Sequence, residues 1–165
     1  MSADDQAGIG RLDLVVVRTA TPADVSALAV LRWRWALGDQ PAEPAALRDF
    51  RSALREWMTA QGEASVCKIA VLDGELVGMA SLAVFDRVPN PGDLRRRSGD
   101  VQSVFVVPEH RGLGIGRRLM QAICETADDL GIRSLTVHSS EQALPLYQLV
   151  GFTHSHLLLQ RAHQE

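Results

Sequence analysis

The chain is poor in lysine, cysteine and tyrosine. Lys68 is its sole lysine, and arginine supplies the other basic side chains of a 165-residue sequence whose formal net charge is −3. With a pI near 5.9 it offers no broad cationic field, so nonspecific nucleic-acid binding is not expected to be its main activity. Two cysteines, Cys67 and Cys124, stand far apart in apolar surroundings. That pattern fits neither a disulfide framework nor a paired-cysteine metal site, and it predicts two buried free thiols. No stretch approaches the roughly 18 consecutive apolar residues of a membrane span. Even Leu12–Val17 is interrupted by Asp13 and ends at Arg18. Residues 1–11 are small, polar and acidic, without the basic start and apolar core of a signal peptide, and are read as a flexible tail. The expectation is a cytoplasmic protein with one domain over 12–165, touching neither membrane nor nucleic acid.

What is present suffices for a single well-buried core, since 46% of the residues are hydrophobic. Leu14–Val17 predicts a first strand. Thr21-Pro22-Ala23-Asp24 then supplies an N-cap, an N1 proline and a capping-box acid for a helix reaching about Leu37. A second helix is expected over about 45–60, stopped by Gly62. The strands Ser65–Leu72 and Glu75–Phe85 flank Asp73-Gly74, a tight-hairpin signal. Residues 86–99 read as a long loop containing the run Arg95-Arg96-Arg97, followed by a buried strand at Val101–Val107. A helix at about 114–130, a strand at 133–138, a short helix around 141–150 and a last strand at about 152–160 complete the order β-α-α-β-β-β-α-β-α-β. That order defines a mixed α/β (α+β) domain. His154 and His156 alternate on the last segment, but no third ligand accompanies them and no metal site is expected.

The chemistry concentrates at 104–118. Arg111-Gly112-Leu113-Gly114-Ile115-Gly116-Arg117 sits between a buried strand and a helix N-terminus, where orphan N–H groups and the positive end of the helix dipole attract anions. It is not a dinucleotide fingerprint. A start at Gly112 would need glycine where Arg117 stands, and a start at Gly114 would need it where Leu119 stands. It is not a Walker loop either, for want of a Gly-Lys pair.

Arg111-x-x-Gly114-x-Gly116 resembles the Q/R-x-x-G-x-G/A signature of the GNAT superfamily of N-acetyltransferases. The preceding Val106-Val107-Pro108 is similar to the strand end of that family. A second landmark, Ser140-x-x-Ala143-x-x-Leu146-Tyr147-x-x-x-Gly151-Phe152, resembles its N-x-x-A-x-x-L-Y-x-x-x-G-F element, with Ser140 at the asparagine position. The resemblance implies a GNAT fold, with helices on both faces of a mostly antiparallel six- to seven-stranded sheet. It implies acetyl-CoA as cosubstrate, with the pyrophosphate held by main-chain N–H groups of Leu113, Gly114, Gly116 and Arg117, Arg111 close by, and Gly112 and Ile115 in the same cofactor-binding loop. The pantetheine arm would lie along Val104, Phe105 and Val106, with Ser140 nearby. The acceptor would be a primary amine of a small molecule or protein. Family members pair through sheet edges or helices, so a homodimer is compatible with the resemblance.

Acetyl transfer needs a neutral amine and a proton for the departing thiolate. By resemblance, Tyr147 donates that proton. Where many members carry a glutamate this chain has Gln102, which cannot take a proton. Asp100, two residues earlier on the same strand face, is the candidate base, acting through an ordered water, with Glu141 and His138 as alternatives. A competing reading is an acyl-CoA-binding sensor or regulatory module that has lost its base.

Overall fold

The computed structural model describes residues 12–159 and 161. Five strands form one sheet in chain order: β1 (Val16–Thr19), β2 (Ser65–Leu72), β3 (Glu75–Asp86), β4 (Arg97–Val106) and β5 (Leu135–Val137). All neighbours are antiparallel except β4 and β5, which run parallel. Helices α1 (Val25–Leu37) and α2 (Pro44–Gln61) cover one face. The other face is covered by α3 (Ile115–Asp129), and a short α4 (Leu144–Gln148) follows β5.

Side-chain alternation explains this layering. On β3, Gly78 faces α3 so closely that an added Cβ would stand 3.0 Å from Leu119 Cδ1. Ser81, of opposite parity, lines a cavity with Leu28 of α1 and Leu54 of α2. The core therefore has two halves. Leu119, Met120 and Ile123 of α3 are fully buried on one side, and Leu28, Ala29 and Leu31 of α1 are buried on the other. The first helix is entered as its capping signal predicts: Asp24 accepts from Thr21 N at 2.8 Å and Thr21 Oγ1 at 2.9 Å. One 3₁₀ turn, Pro22–Asp24, precedes α1.

Three expectations are corrected. β3 and β4 extend to Asp86 and from Arg97, so the expected loop over 86–99 shrinks to 87–96, closed by Arg87 N donating to Arg96 O at 2.8 Å. Among the described residues the sheet has five strands, not six or seven, because residues 152–159 form no strand. The outer strand β5 has only three ladder residues, Leu135–Val137, and offers a short edge for a further strand. The cysteines are free but half-buried rather than buried, and burial pushes both thiols up. The expected tail at 1–11 and the end of the expected last strand at 160 lie outside the described residues.

Candidate functional site

The site begins where β4 leaves β5. Their parallel pairing covers Gly99 with Leu135, Asp100 with Thr136 and Val101 with Val137, and then stops. Two residues later β4 bulges: Ser103 and Val104 together oppose the single residue Ala80, between the pairs Ser81–Gln102 and Met79–Phe105. Ser103 takes φ = 55°, an uncommon left-handed conformation for a residue other than glycine. The bulge turns the strand away from β5 and leaves main-chain groups of Val104 and Val106 without a strand partner on that side. Val107 N donates to Val77 O of β3 at 2.9 Å, so alternation directs Val106 away from β3. Val106 O accepts from Arg111 Nε at 2.9 Å, and the Arg111 guanidinium lies 5.6 Å from the Phe105 ring centroid.

This fork opens into a cavity of about 650 Å³. Val104, Phe105, Val106, Arg111, Gly112, Gly114, Ile115, Gly116, Arg117 and Ser140 all line it, and among the expected cofactor residues only Leu113 does not. Gly112 and Gly114 hold φ = 78° and 81°, which glycine adopts without the Cβ penalty. The resulting loop runs directly into α3. Among the described residues, the main-chain N–H groups of Gly112 to Arg117 donate to no protein acceptor. Those six unengaged donors at a helix N-terminus, beside Arg111 and Arg117, form a nest for an anion. The loop is fixed from behind by Arg118, which donates to Leu12 O at 2.7 Å. Arg34 of α1 reaches Glu109 at 2.6 Å and also bonds Asp39, tying the first helix to the segment that enters the loop. These contacts hold the Arg34 guanidinium above its ordinary range and the Glu109 carboxyl below its own.

The two expected catalytic residues stand outside that cavity. Asp100 lies on the α1/α2 face of β4, its Oδ1 accepting from Thr136 Oγ1 at 2.8 Å and its Oδ2 from Gln102 Nε2 at 3.0 Å. Tyr147 is buried on α4 with its ring edge-on to Phe152 (centroids 5.7 Å apart), and it lines a neighbouring cavity of about 270 Å³ with Thr136 and Val137. Burial pushes its phenol up. Ala143 and Leu146 of the same segment, with His110 and Gln142, do line the main cavity. Sequence reasoning missed these four and Leu149, which also lines the cavity, although the second motif contains two of them. His110 buries Nδ1 without a partner among the described residues.

A separate small cavity of about 40 Å³ lies between the sheet and α1 and α2, lined by Arg32, Trp57, Ser65, Cys67 and Ser81 above the apolar floor of Leu28, Leu54 and Met58. Nothing in the local sequence marks it, because its walls come from four elements.

Comparison with known proteins places this geometry among acetyltransferases. A family model described as the acetyltransferase (GNAT) family matches residues 27–152. The chain is 35% identical over 79 residues to a glucosamine 6-phosphate N-acetyltransferase of Trypanosoma brucei brucei, a match that covers 48% of this chain and 52% of that protein. It is 32% identical over 139 residues to an aminoglycoside N(6')-acetyltransferase type 1 of Stenotrophomonas maltophilia, covering 82% and 84% of the two chains. A predicted acetyltransferase from Clostridium acetobutylicum, crystallised with acetyl-CoA, shares the fold at a TM-score of 0.71 over 90% of this chain and 96% of its own, at 22% identity.

Proposed function

The chain belongs to the acetyltransferase (GNAT) family, and from that premise we propose that it moves an acetyl group from acetyl-CoA to a primary amine of a small molecule or protein. The observation that carries this reading is the nest of six unengaged N–H groups, Gly112 to Arg117, at the mouth of a cavity walled by the free edge of β4. The nest, with Arg111 and Arg117 beside it, suits the pyrophosphate of a CoA ester. Val104 and Val106 offer main-chain groups for the pantetheine arm as an added strand would use them. Acetyl-CoA supplies an activated thioester carbonyl at the fork of β4 and β5.

The protein then has two tasks. The amine must lose a proton before attack, since a lysine-like amine has a pKa of about 10.4. Asp100 faces the α1/α2 side at the end of the β4–β5 pairing, and we assign it that task through an ordered water. Gln102 and Thr136 orient its carboxylate, each donating to a different oxygen. The departing thiolate needs a proton, and Tyr147, with its phenol held neutral by burial, is assigned as donor. The setting we propose is cytoplasmic, in keeping with two free thiols.

The test is thiol release from acetyl-CoA in the presence of a panel of primary amines, with the acetylated product identified by mass. Amine-dependent release is expected. Tight acetyl-CoA binding with no release on any amine would favour an acyl-CoA sensor instead.

A further inference from the structure

The helices that wall the α1/α2 face are cationic within a net-negative chain. Over α1 and α2 five arginines stand against two acids, Asp49 and Glu56. Most of these charges face water, but Arg32 does not: it is half-buried and lines the small cavity with Ser65, Cys67 and Ser81. Among the described residues Arg32 makes no hydrogen bond or ion pair. Its guanidinium lies 5.6 Å from the Trp35 ring centroid. Asp24, which like Arg32 acts electrostatically on Cys67, is already engaged by Arg18 Nη1 and Nη2 at 2.8 and 2.7 Å and by Thr21. On α2, Arg51 buries its Nε without a partner among the described residues. A guanidinium that lines a cavity beside two serines and is tied to no acid keeps its planar fork of donors available to an anion.

The sheet register connects this cavity to Asp100. Asp100 pairs with Ala83 of β3, and Ala83 pairs with Ser65 of β2, a wall of the cavity. These residues share the α1/α2 face and span two strand spacings, about 10 Å. The neighbouring row, Gln102, Ser81 and Cys67, runs beside them.

We propose that Arg32 and this cavity form a carboxylate subsite for the acceptor, so that the amine substrate carries a carboxylate about 10 Å from its nucleophilic nitrogen. The proposal rests on the reading of Asp100 as the amine end of the site. The fork of a guanidinium matches a planar carboxylate. A cavity of about 40 Å³ holds roughly three waters, at about 10–15 Å³ each, which suits a carboxylate better than a bulkier, doubly charged phosphate. The Ser65 and Ser81 hydroxyls can donate to its second oxygen. A polycationic amine is repelled by the same arginines.

The test compares 8-aminooctanoate with octylamine, which have the same chain and differ only in the carboxylate, in wild type, Arg32→Gln and Arg32→Lys. Wild type is expected to favour 8-aminooctanoate at least tenfold in kcat/KM, Arg32→Gln to bring that ratio near one, and Arg32→Lys to keep part of it. An unchanged acetyl-CoA affinity reports an intact fold. A wild-type ratio near one, or an Arg32→Gln variant that slows both amines equally, overturns the subsite, as does a preference for 8-aminooctyl phosphate over the carboxylate. Calorimetry of 8-aminooctanoate into CoA-saturated protein runs alongside. Binding lost in Arg32→Gln, with no turnover in any protein, upholds the subsite and sinks acetyl transfer. Absence of both binding and turnover sinks the subsite.

Discussion

Asp100 Oδ1 accepts a 2.8 Å hydrogen bond from Thr136 Oγ1 across the parallel pair β4–β5, one rung before the strands part. The candidate base is thus braced at the point where cosubstrate and acceptor would meet. Asp100→Asn is expected to lower kcat by roughly 10²-fold or more, the range of a lost general base. Thr136→Val acts only through Asp100 and is expected to cost less, about tenfold, with the KM for acetyl-CoA preserved. Steady-state kinetics on both variants checks this, and an Asp100→Asn enzyme of wild-type kcat would contradict it.

Tyr147 is buried, and burial pushes its phenol above the ordinary value of about 10. The folded protein holds that proton more tightly than the unfolded chain does, so the neutral acid persists past the pH at which a free tyrosine ionises. Accordingly, kcat should show no fall attributable to this group below about pH 10. Tyr147→Phe is expected to reduce kcat by about 10²-fold while calorimetry finds acetyl-CoA binding intact. A variant with unaltered kcat would remove Tyr147 from the mechanism.

Gly99 is required by packing at the same junction. A Cβ there would stand 2.7 Å from Leu135 Cδ2 and 2.8 Å from Leu82 Cδ1. Gly99→Val is expected to destabilise the fold by about 2 kcal/mol through overpacking. The effect should appear as a lower urea midpoint with an unchanged slope. A midpoint equal to wild type would show that the two leucines move aside freely.

Asp24 is held well below the usual carboxylate range, first by Arg18 and then by Thr21, against the opposing effect of burial. A depressed carboxylate contributes stability in full above its unfolded value of about 3.9, and that contribution fades as pH falls through the lower folded value. Asp24→Asn should therefore cost about 1–2 kcal/mol at neutral pH, a figure discounted because the Arg18 side chain is 43% exposed. The gap between the two proteins should hold from pH 8 to 5 and narrow below about pH 4. A gap that widens in acid would contradict this sign.

The elements legible in the sequence were those whose signals are local. Asp73-Gly74 located the β2–β3 turn, and the Gly112–Gly116 spacing located the glycine loop that enters α3, because each depends on backbone freedom at a few adjacent residues. Register is a property of two strands at once, so the bulge at Ser103 and Val104 left no local mark, and serine gives no hint of φ = 55°. Alternation did place Asp100 and Gln102 on one face, as their hydrogen bond shows. The Arg32 cavity was out of reach because α1, α2, β2 and β3 each contribute only one to three residues to it. The segment at 152–159 misled in the other direction. Leu157 and Leu159 suit a strand, yet they stand 92% and 90% exposed beside a β5 too short to pair with them.

The central claim is that the loop from Gly112 to Arg117 binds a CoA ester. Its most direct test is calorimetric titration of the protein with acetyl-CoA, with NADH and ATP as controls, repeated on Gly114→Trp. Position 114 holds φ = 81°, and a Cβ there already meets Leu12 Cδ2 at 3.4 Å, so tryptophan would both strain and block the loop. Micromolar binding of acetyl-CoA alone, lost in Gly114→Trp, is the result expected; no binding by the wild-type protein, or equal binding by the variant, would contradict it.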